Sequence, residues 1–313
     1  MSSTGRASVF AYGISCYAIF FVTFLYLIGW LTGRLVPTSI DSGAAGNTPA
    51  ALAVDLALIA LFGVQHSVMA RPGFKRWWTR VVPQPIERAT YVLATSLVLI
   101  ALFAAWQPIP FAIWRTEGAV AVALQAGALL GFGIVLYTSF LIDHFDLFGL
   151  RQVFLAWRGA PYSEKRFVTP QVYRFIRHPL YVGWMISFWC APVMTLGHAL
   201  FASGMTIYIL IAIRYEERDL AAALGEPYRR WRDATPMFVP LVREMKERRH
   251  AQFLAKVQAD AVQRTLDLLA RGPGSVESFF EPFTKTLVEE CESLACDVWL
   301  TDEHEKHVEL EAS

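Results

Sequence analysis

Stretches of this chain are apolar for long enough to cross a bilayer, and that limits its fold more than any other feature. Residues 10–32 carry no charge, and 49–70, 89–106 and 119–142 form three further apolar runs. A helix rises about 1.5 Å per residue, so roughly 20 such residues span a hydrocarbon core about 30 Å thick. Backbone polar groups find no water there, so each run is predicted to be a helix. Run 10–32 lacks a small-residue cleavage site after a short apolar region, so it is expected to stay rather than act as a removable signal. The last apolar stretch, 180–213, is too long for one crossing and is interrupted by Pro192 and Gly197-His198. Proline removes a backbone donor and glycine ends helices, which predicts a helical hairpin. Its arms, about 16 residues or 24 Å each, fall short of a full crossing and place both open ends on one side. The expected fold is therefore an all-α polytopic membrane bundle of four spans plus a C-terminal hairpin.

Composition agrees. Hydrophobic residues make up 55% of the chain and charged residues 18%, against about 25% charge in a soluble domain. A net charge of +1 gives no electrostatic case for nucleic acid, and four cysteines are too few for a secreted disulfide scaffold. Cys16 and Cys190 lie within apolar runs and read as packing residues. The glycine pairs Gly127/Gly131 and Gly29/Gly33 permit close helix packing. Partners expected on these grounds are the lipid bilayer and a small molecule; the oligomeric state is left open.

Loop charge sets the predicted orientation. Residues 71–88 hold Arg71, Lys75, Arg76, Arg80 and Arg88 against Glu87, with Trp77 and Trp78 as interfacial anchors. Residues 143–178 hold Arg151, Arg158, Lys165, Arg166, Arg174 and Arg177 against Asp143, Asp146 and Glu164, while loops 33–48 and 107–118 are near neutral. The positive-inside rule then makes the two basic loops and both termini cytoplasmic, in the cell's inner (cytoplasmic) membrane. Composition changes after Pro240, and residues 243–313 carry nine basic and fifteen acidic side chains. Phe253, Leu254, Val257, Ala261, Leu268 and Leu269 predict an amphipathic helix there, so 1–240 reads as the membrane domain and 241–313 as a cytosolic acidic helical tail. Cys291, Cys296, His304 and His307 carry metal-ligand atoms, but their spacing fits no common zinc pattern, and no metal is expected.

Polar chemistry concentrates at the two open ends of the hairpin. One end reads Arg177-His178-Pro179-Leu180-Tyr181-Val182-Gly183. Pro179 suits the first position of a helix, leaving free N–H groups that favour a carboxylate or phosphate. The other end reads Arg214-Tyr215-Glu216-Glu217-Arg218-Asp219, then Gly225-Glu226-Pro227-Tyr228. Antiparallel arms bring Glu216 and Glu217 back to the depth of His178. An interfacial belt of charge and aromatics accounts for the same residues more simply. Elsewhere His66 ends the second run beside Ser67 and Arg71, and ionisable groups so placed are site candidates. Asp143, His144 and Asp146 follow the fourth run, and Arg88 and Tyr91 open the third. Each also has a structural reading, as a polar group satisfied between helices, a hydrated loop start or an ion pair at a helix end.

Residues 172–240, about a fifth of the chain, resemble the isoprenylcysteine carboxyl methyltransferase family: RHPLYVG, a hairpin, EERDL, LGEPY and a closing proline stand in order and spacing. The front half, with Gly63-Val64-Gln65-His66-Ser67 and Glu87-Arg88-Ala89-Thr90-Tyr91, is similar to the bacterial methanethiol S-methyltransferases, as is His144-Phe145-Asp146-Leu147-Phe148-Gly149. That subgroup is in turn similar to a denitrification-associated membrane group. The resemblance implies a membrane enzyme using S-adenosyl-L-methionine, with Arg177, His178, Tyr181, Gly183, Glu216, Glu217 and Tyr228 contacting the cofactor. It implies a small volatile thiol, methanethiol, as acceptor, with dimethyl sulfide as product. His66, assisted by Asp143 or His144, is the candidate base that favours the thiolate, and Arg88, Tyr91 and Asp146 are candidate substrate contacts. Tyr181 or Tyr228 is placed near the sulfonium, since aromatic faces attract cations. Another lipophilic thiol or carboxylate acceptor, or a non-catalytic sensor or assembly module, are the alternatives.

Overall fold

The computed structural model describes residues 3–44, 46–163, 170–239, 256, 297–301 and 307–311. They divide into two compact units, Met1–Phe238 and Val239–Ser313.

In the first unit five helices are long and apolar enough to cross a membrane: α1 (Ser3–Thr32), α2 (Thr48–Ala70), α4 (Gln84–Ala105), α5 (Gly118–Leu141) and α9 (Leu196–Leu224). Short helices fill the connections: α3 (Pro72–Trp78), α6 (His144–Leu147), α7 (Leu150–Arg158), α8 (Pro179–Trp189) and α10 (Glu226–Ala234). Local signals explain the boundaries. The Asn47 side chain accepts from Ala50 N at 3.1 Å to cap α2, with Pro49 in the first turn. Gly225, at φ +66°, breaks α9 from α10 in a conformation open to glycine. Large apolar side chains face outward on the spanning helices, among them Val22, Val122 and Leu130. In water they would be a liability; against lipid they are at home. The protein is thus an all-α polytopic membrane bundle.

The bundle is sealed by aromatic packing. Trp30 of α1 is 1% exposed and meets Phe201 of α9 edge-on at 5.4 Å and Trp106 at 5.5 Å. α5 and α8 pack backbone to backbone. A Cβ at Gly131 would lie 2.6 Å from the Gly183 carbonyl, and one at Gly183 would lie 2.8 Å from the Gly131 carbonyl. Gly183→Val is therefore expected to destabilise the fold by about 1–3 kcal/mol through overpacking, read as a lower unfolding temperature in detergent. Gly29 and Gly33 serve differently from the expected helix packing. Gly33 ends α1 at φ +67°, and a Cβ at Gly29 would strike the following turn at Val36 and Arg34.

The hairpin differs from its sequence expectation. Its arms are unequal, 11 residues in α8 and 29 in α9. Gly197 and His198 do not interrupt a helix; they lie in the first turn of α9, where Thr195 Oγ1 accepts from His198 N at 3.0 Å. Residues 190–195 form the bend, and within it β2 (Val193–Thr195) pairs antiparallel with β1 (Ala112–Arg115) from the α4–α5 connection. Extended chain advances about 3.3 Å per residue against 1.5 Å in a helix, which compensates for the short arm.

In the second unit, β3 (Asp297–Thr301) and β4 (His307–Glu311) pair antiparallel, Val298 opposite Leu310 and Leu300 opposite Val308. This corrects the all-helical reading of the tail: apolar residues alternate at 298 and 300, and again at 308 and 310, with the period of a strand. The amphipathic segment from Phe253 to Leu269 lies outside the described residues apart from Lys256, as do Cys291, Cys296 and His304.

Candidate functional site

The two motif ends meet at the start of α8. Backbone bonds fix this corner: Arg177 N donates to the Pro236 carbonyl at 2.9 Å and His178 N to that of Met237 at 3.2 Å. Glu217, in the last third of α9, binds both neighbours through one oxygen. His178 Nε2 lies 2.8 Å from Glu217 Oε1, and Arg177 Nε lies 2.9 Å from the same atom. The preceding residue, Glu216, accepts from the Tyr181 hydroxyl at 2.8 Å. Arg177 also donates to the Arg232 and Thr235 carbonyls, so one guanidinium joins α9, the end of α10 and the segment beyond it. His178 and Glu217 side chains are 7% and 15% exposed, shielded enough for removal of one partner to be costly.

Beside Glu217 a cavity of about 540 Å³ is lined by Arg214 and Arg218 of α9 and Arg229 and Arg232 of α10. Tyr228 backs this corner. It is 1% exposed and packs on Trp231 at 5.5 Å, which leaves no ring face open to a ligand. Burial, then the Glu217 and Glu216 carboxylates, push its hydroxyl up to about 12, so it stays protonated. Of the two tyrosines expected beside a sulfonium, Tyr181 retains an accessible surface and Tyr228 does not. Gly183 is committed to the crossing with α5 and shows no face to this corner.

His66 lies in the last turns of α2. Phe62 stacks on its ring at 5.4 Å, Tyr91 of α4 tilts against it at 5.1 Å, and Tyr208 of α9 meets it edge-on at 6.1 Å. Nδ1 lies 3.3 Å from Thr95 Oγ1, and among the described residues Nε2 has no hydrogen-bond partner. The Tyr91 hydroxyl donates to the His66 carbonyl at 3.3 Å. The hydroxyl of Tyr181 lies within electrostatic reach of those of Tyr208 and Tyr91. Tyr181, which bonds Glu216, thus lies near the two tyrosines that contact His66. Arg71, at the end of α2, adds an ion pair to Asp219 of α9 at 2.9 Å. Tyr208 and Asp219 were not singled out from sequence. The available signal was a phenol inside the apolar run 180–213 and a carboxylate two residues past Glu217.

The residues after α5 form a separate cluster. Asp143 adopts φ +89°, rare for a residue with a side chain, and its carboxylate accepts from Asp146 N at 3.2 Å. That turn swings His144 back into the bundle, where it is 2% exposed. Its Nε2 bonds the Tyr17 hydroxyl and its Nδ1 the Ser139 hydroxyl, each at 2.8 Å, with Phe140 stacked on the ring at 4.2 Å. The ring contacts of His144 and His66 share no residue, so the expected assistance of His66 by His144 is not supported by the geometry. Asp146 pairs with Arg151 at 3.0 Å and accepts from Tyr162. Arg88 lies within electrostatic reach of both Tyr162 and Tyr91.

Burial holds His144 neutral, lowering it from the usual 6.5. An unfolded chain binds a proton near that value while the folded chain does not. Stability supplied by this buried neutral ring is therefore present above pH 6.5 and lost as pH falls below it. We expect thermal unfolding in detergent to show this acid loss, and His144→Gln to flatten it.

Fold and site together define a polytopic membrane protein whose polar groups gather at one end of its helical bundle. The chain is 50% identical over 230 residues to the methanethiol S-methyltransferase of Mycobacterium tuberculosis, covering 73% of this chain and 94% of that protein. It is 48% identical over 235 residues to methanethiol S-methyltransferase 2 of Bradyrhizobium diazoefficiens, covering 75% and 91%. Nurim of Sus scrofa is more distant, 30% identical over 178 residues, covering 54% and 68%. No family model and no solved structure matches the chain. It belongs to the methanethiol S-methyltransferase family.

Proposed function

We propose that this protein transfers a methyl group from S-adenosyl-L-methionine to methanethiol, giving dimethyl sulfide, at the cytoplasmic membrane. One observation carries the reading beyond similarity: Glu217 joins both Arg177 and His178 beside an arginine-lined cavity, at one end of a membrane bundle. The donor set fits the cofactor. Arg214 and Arg229 would oppose its carboxylate, Glu216 and Glu217 would accept from its amino group or ribose hydroxyls, and Tyr181 offers an aromatic ring to a positive sulfur. The basic loops favour the cytoplasmic side for this end and for the N-terminus. α8 and α9 then act as the hairpin after four spans, with residues 241–313 as a cytosolic appendage. Truncation after Arg249 is expected to keep methyl transfer, measured in membranes containing equal amounts of each protein.

When bound, S-adenosyl-L-methionine supplies an electrophilic methyl on a positively charged sulfur. The chain's contribution begins at His66. In the tautomer whose Nδ1–H donates to Thr95, Nε2 is the proton acceptor and takes the thiol proton. Thiolate sulfur is the effective nucleophile; with its methyl given up the cofactor would leave as S-adenosyl-L-homocysteine, and the proton passes from His66 to water. Phe62, Tyr91 and Tyr208 orient the imidazole and limit water around it. Tyr181 connects this chamber to the carboxylate clamp, so positioning in a water-poor space supplies much of the rate.

Cells producing the protein and given methanethiol should release dimethyl sulfide into the headspace, and cells producing Glu217→Gln should not. Equal release from both would remove the reading.

A further inference from the structure

We infer that Tyr208, seated against Gly63, limits the size of the thiol that the protein accepts. This rests on the proposed methyl transfer and names the wall that shapes its acceptor space. Tyr208 is backed by α2. Its ring lies so close to that helix that a Cβ added at Gly63 would approach Tyr208 Cδ2 to 3.2 Å. The ring meets Phe62 edge-on at 5.6 Å and His66 at 6.1 Å.

Phe62, Tyr91 and Tyr208 therefore fence the imidazole on three sides, from α2, α4 and α9. His66, Tyr91 and Tyr208 each keep part of their surface accessible, which leaves space for a small molecule beside the imidazole. A thiol approaching His66 Nε2 must share that space with the Tyr208 ring. A one-carbon thiol is the smallest such acceptor, and aromatic edges suit its sulfur. A longer alkyl chain meets a ring with α2 directly behind it at Gly63.

The test compares kcat/KM for methanethiol and 1-propanethiol, with S-adenosyl-L-methionine, in purified wild type and in Tyr208→Ala, Tyr208→Leu and Tyr208→Phe. One or two methylenes in an apolar pocket discriminate about 10–200-fold. The propanethiol-to-methanethiol ratio should rise at least about 10-fold in Tyr208→Ala. Tyr208→Phe, which keeps the ring and loses the hydroxyl, should retain the wild-type ratio. If Tyr208→Ala does not fold, Tyr208→Leu decides, because it retains bulk for packing but not the breadth of the ring. Wild-type turnover of methanethiol with an unchanged ratio in the folded truncation variant overturns the inference. Failure of wild type to methylate methanethiol overturns the underlying function instead.

Discussion

Glu217→Gln is expected to weaken S-adenosyl-L-methionine binding about 100-fold or more while leaving the bundle folded in the membrane. The wild-type carboxylate is shared between Arg177 at 2.9 Å and His178 at 2.8 Å, both shielded from water. Removing the charge of one partner from a shielded ion pair costs about 3 kcal/mol or more, and at about 1.4 kcal/mol per tenfold that is the factor of 100. The amide is nearly isosteric, so packing of α8 against α9 should persist. Calorimetry in detergent measures the affinity, and gel filtration confirms the folded state. Affinity within a few-fold of wild type would show that the carboxylate is not part of a ligand clamp. Glu216→Gln makes a useful contrast, since its partner is the Tyr181 hydroxyl and it should cost less.

His66→Ala is expected to bind the cofactor almost normally and to transfer methyl about 10²–10⁴-fold more slowly, the usual range for losing a general base. The contacts of His66 are to Phe62, Tyr91, Thr95 and Tyr208, none of which belongs to the Glu217 corner. Binding and turnover should therefore separate. The deficit should shrink as pH rises, because methanethiol ionises in solution and no longer needs proton removal in the site. A loss equal at all pH values would assign His66 to positioning, and unchanged turnover would remove it from the reaction.

Much of the fold was legible because hydrocarbon permits so few backbone arrangements. Runs 49–70 and 119–142 correspond within a residue to α2 and α5. The meeting of His178 with the double glutamate was legible too, since it needs only that the two arms return to the same depth. What was hidden depends on local backbone geometry. Sequence adjacency grouped Asp143, His144 and Asp146, but the left-handed turn at Asp143 points His144 toward Tyr17 and Ser139, neither of which contacts His66. Gly183 sits within a motif yet is consumed by packing on Gly131, a role that requires knowing which helix lies opposite. Tyr208 is one phenol in an apolar run, and nothing along the chain tells that Gly63 leaves room for it.

The central claim is a direct methyl transfer between two sulfurs within one membrane protein. Its most direct measurement uses purified protein in lipid nanodiscs, methanethiol, and S-adenosyl-L-methionine carrying a deuterated methyl group. We expect dimethyl sulfide with one intact deuterated methyl per molecule, formed one-for-one with S-adenosyl-L-homocysteine. Cofactor that binds but yields no labelled dimethyl sulfide would contradict the account.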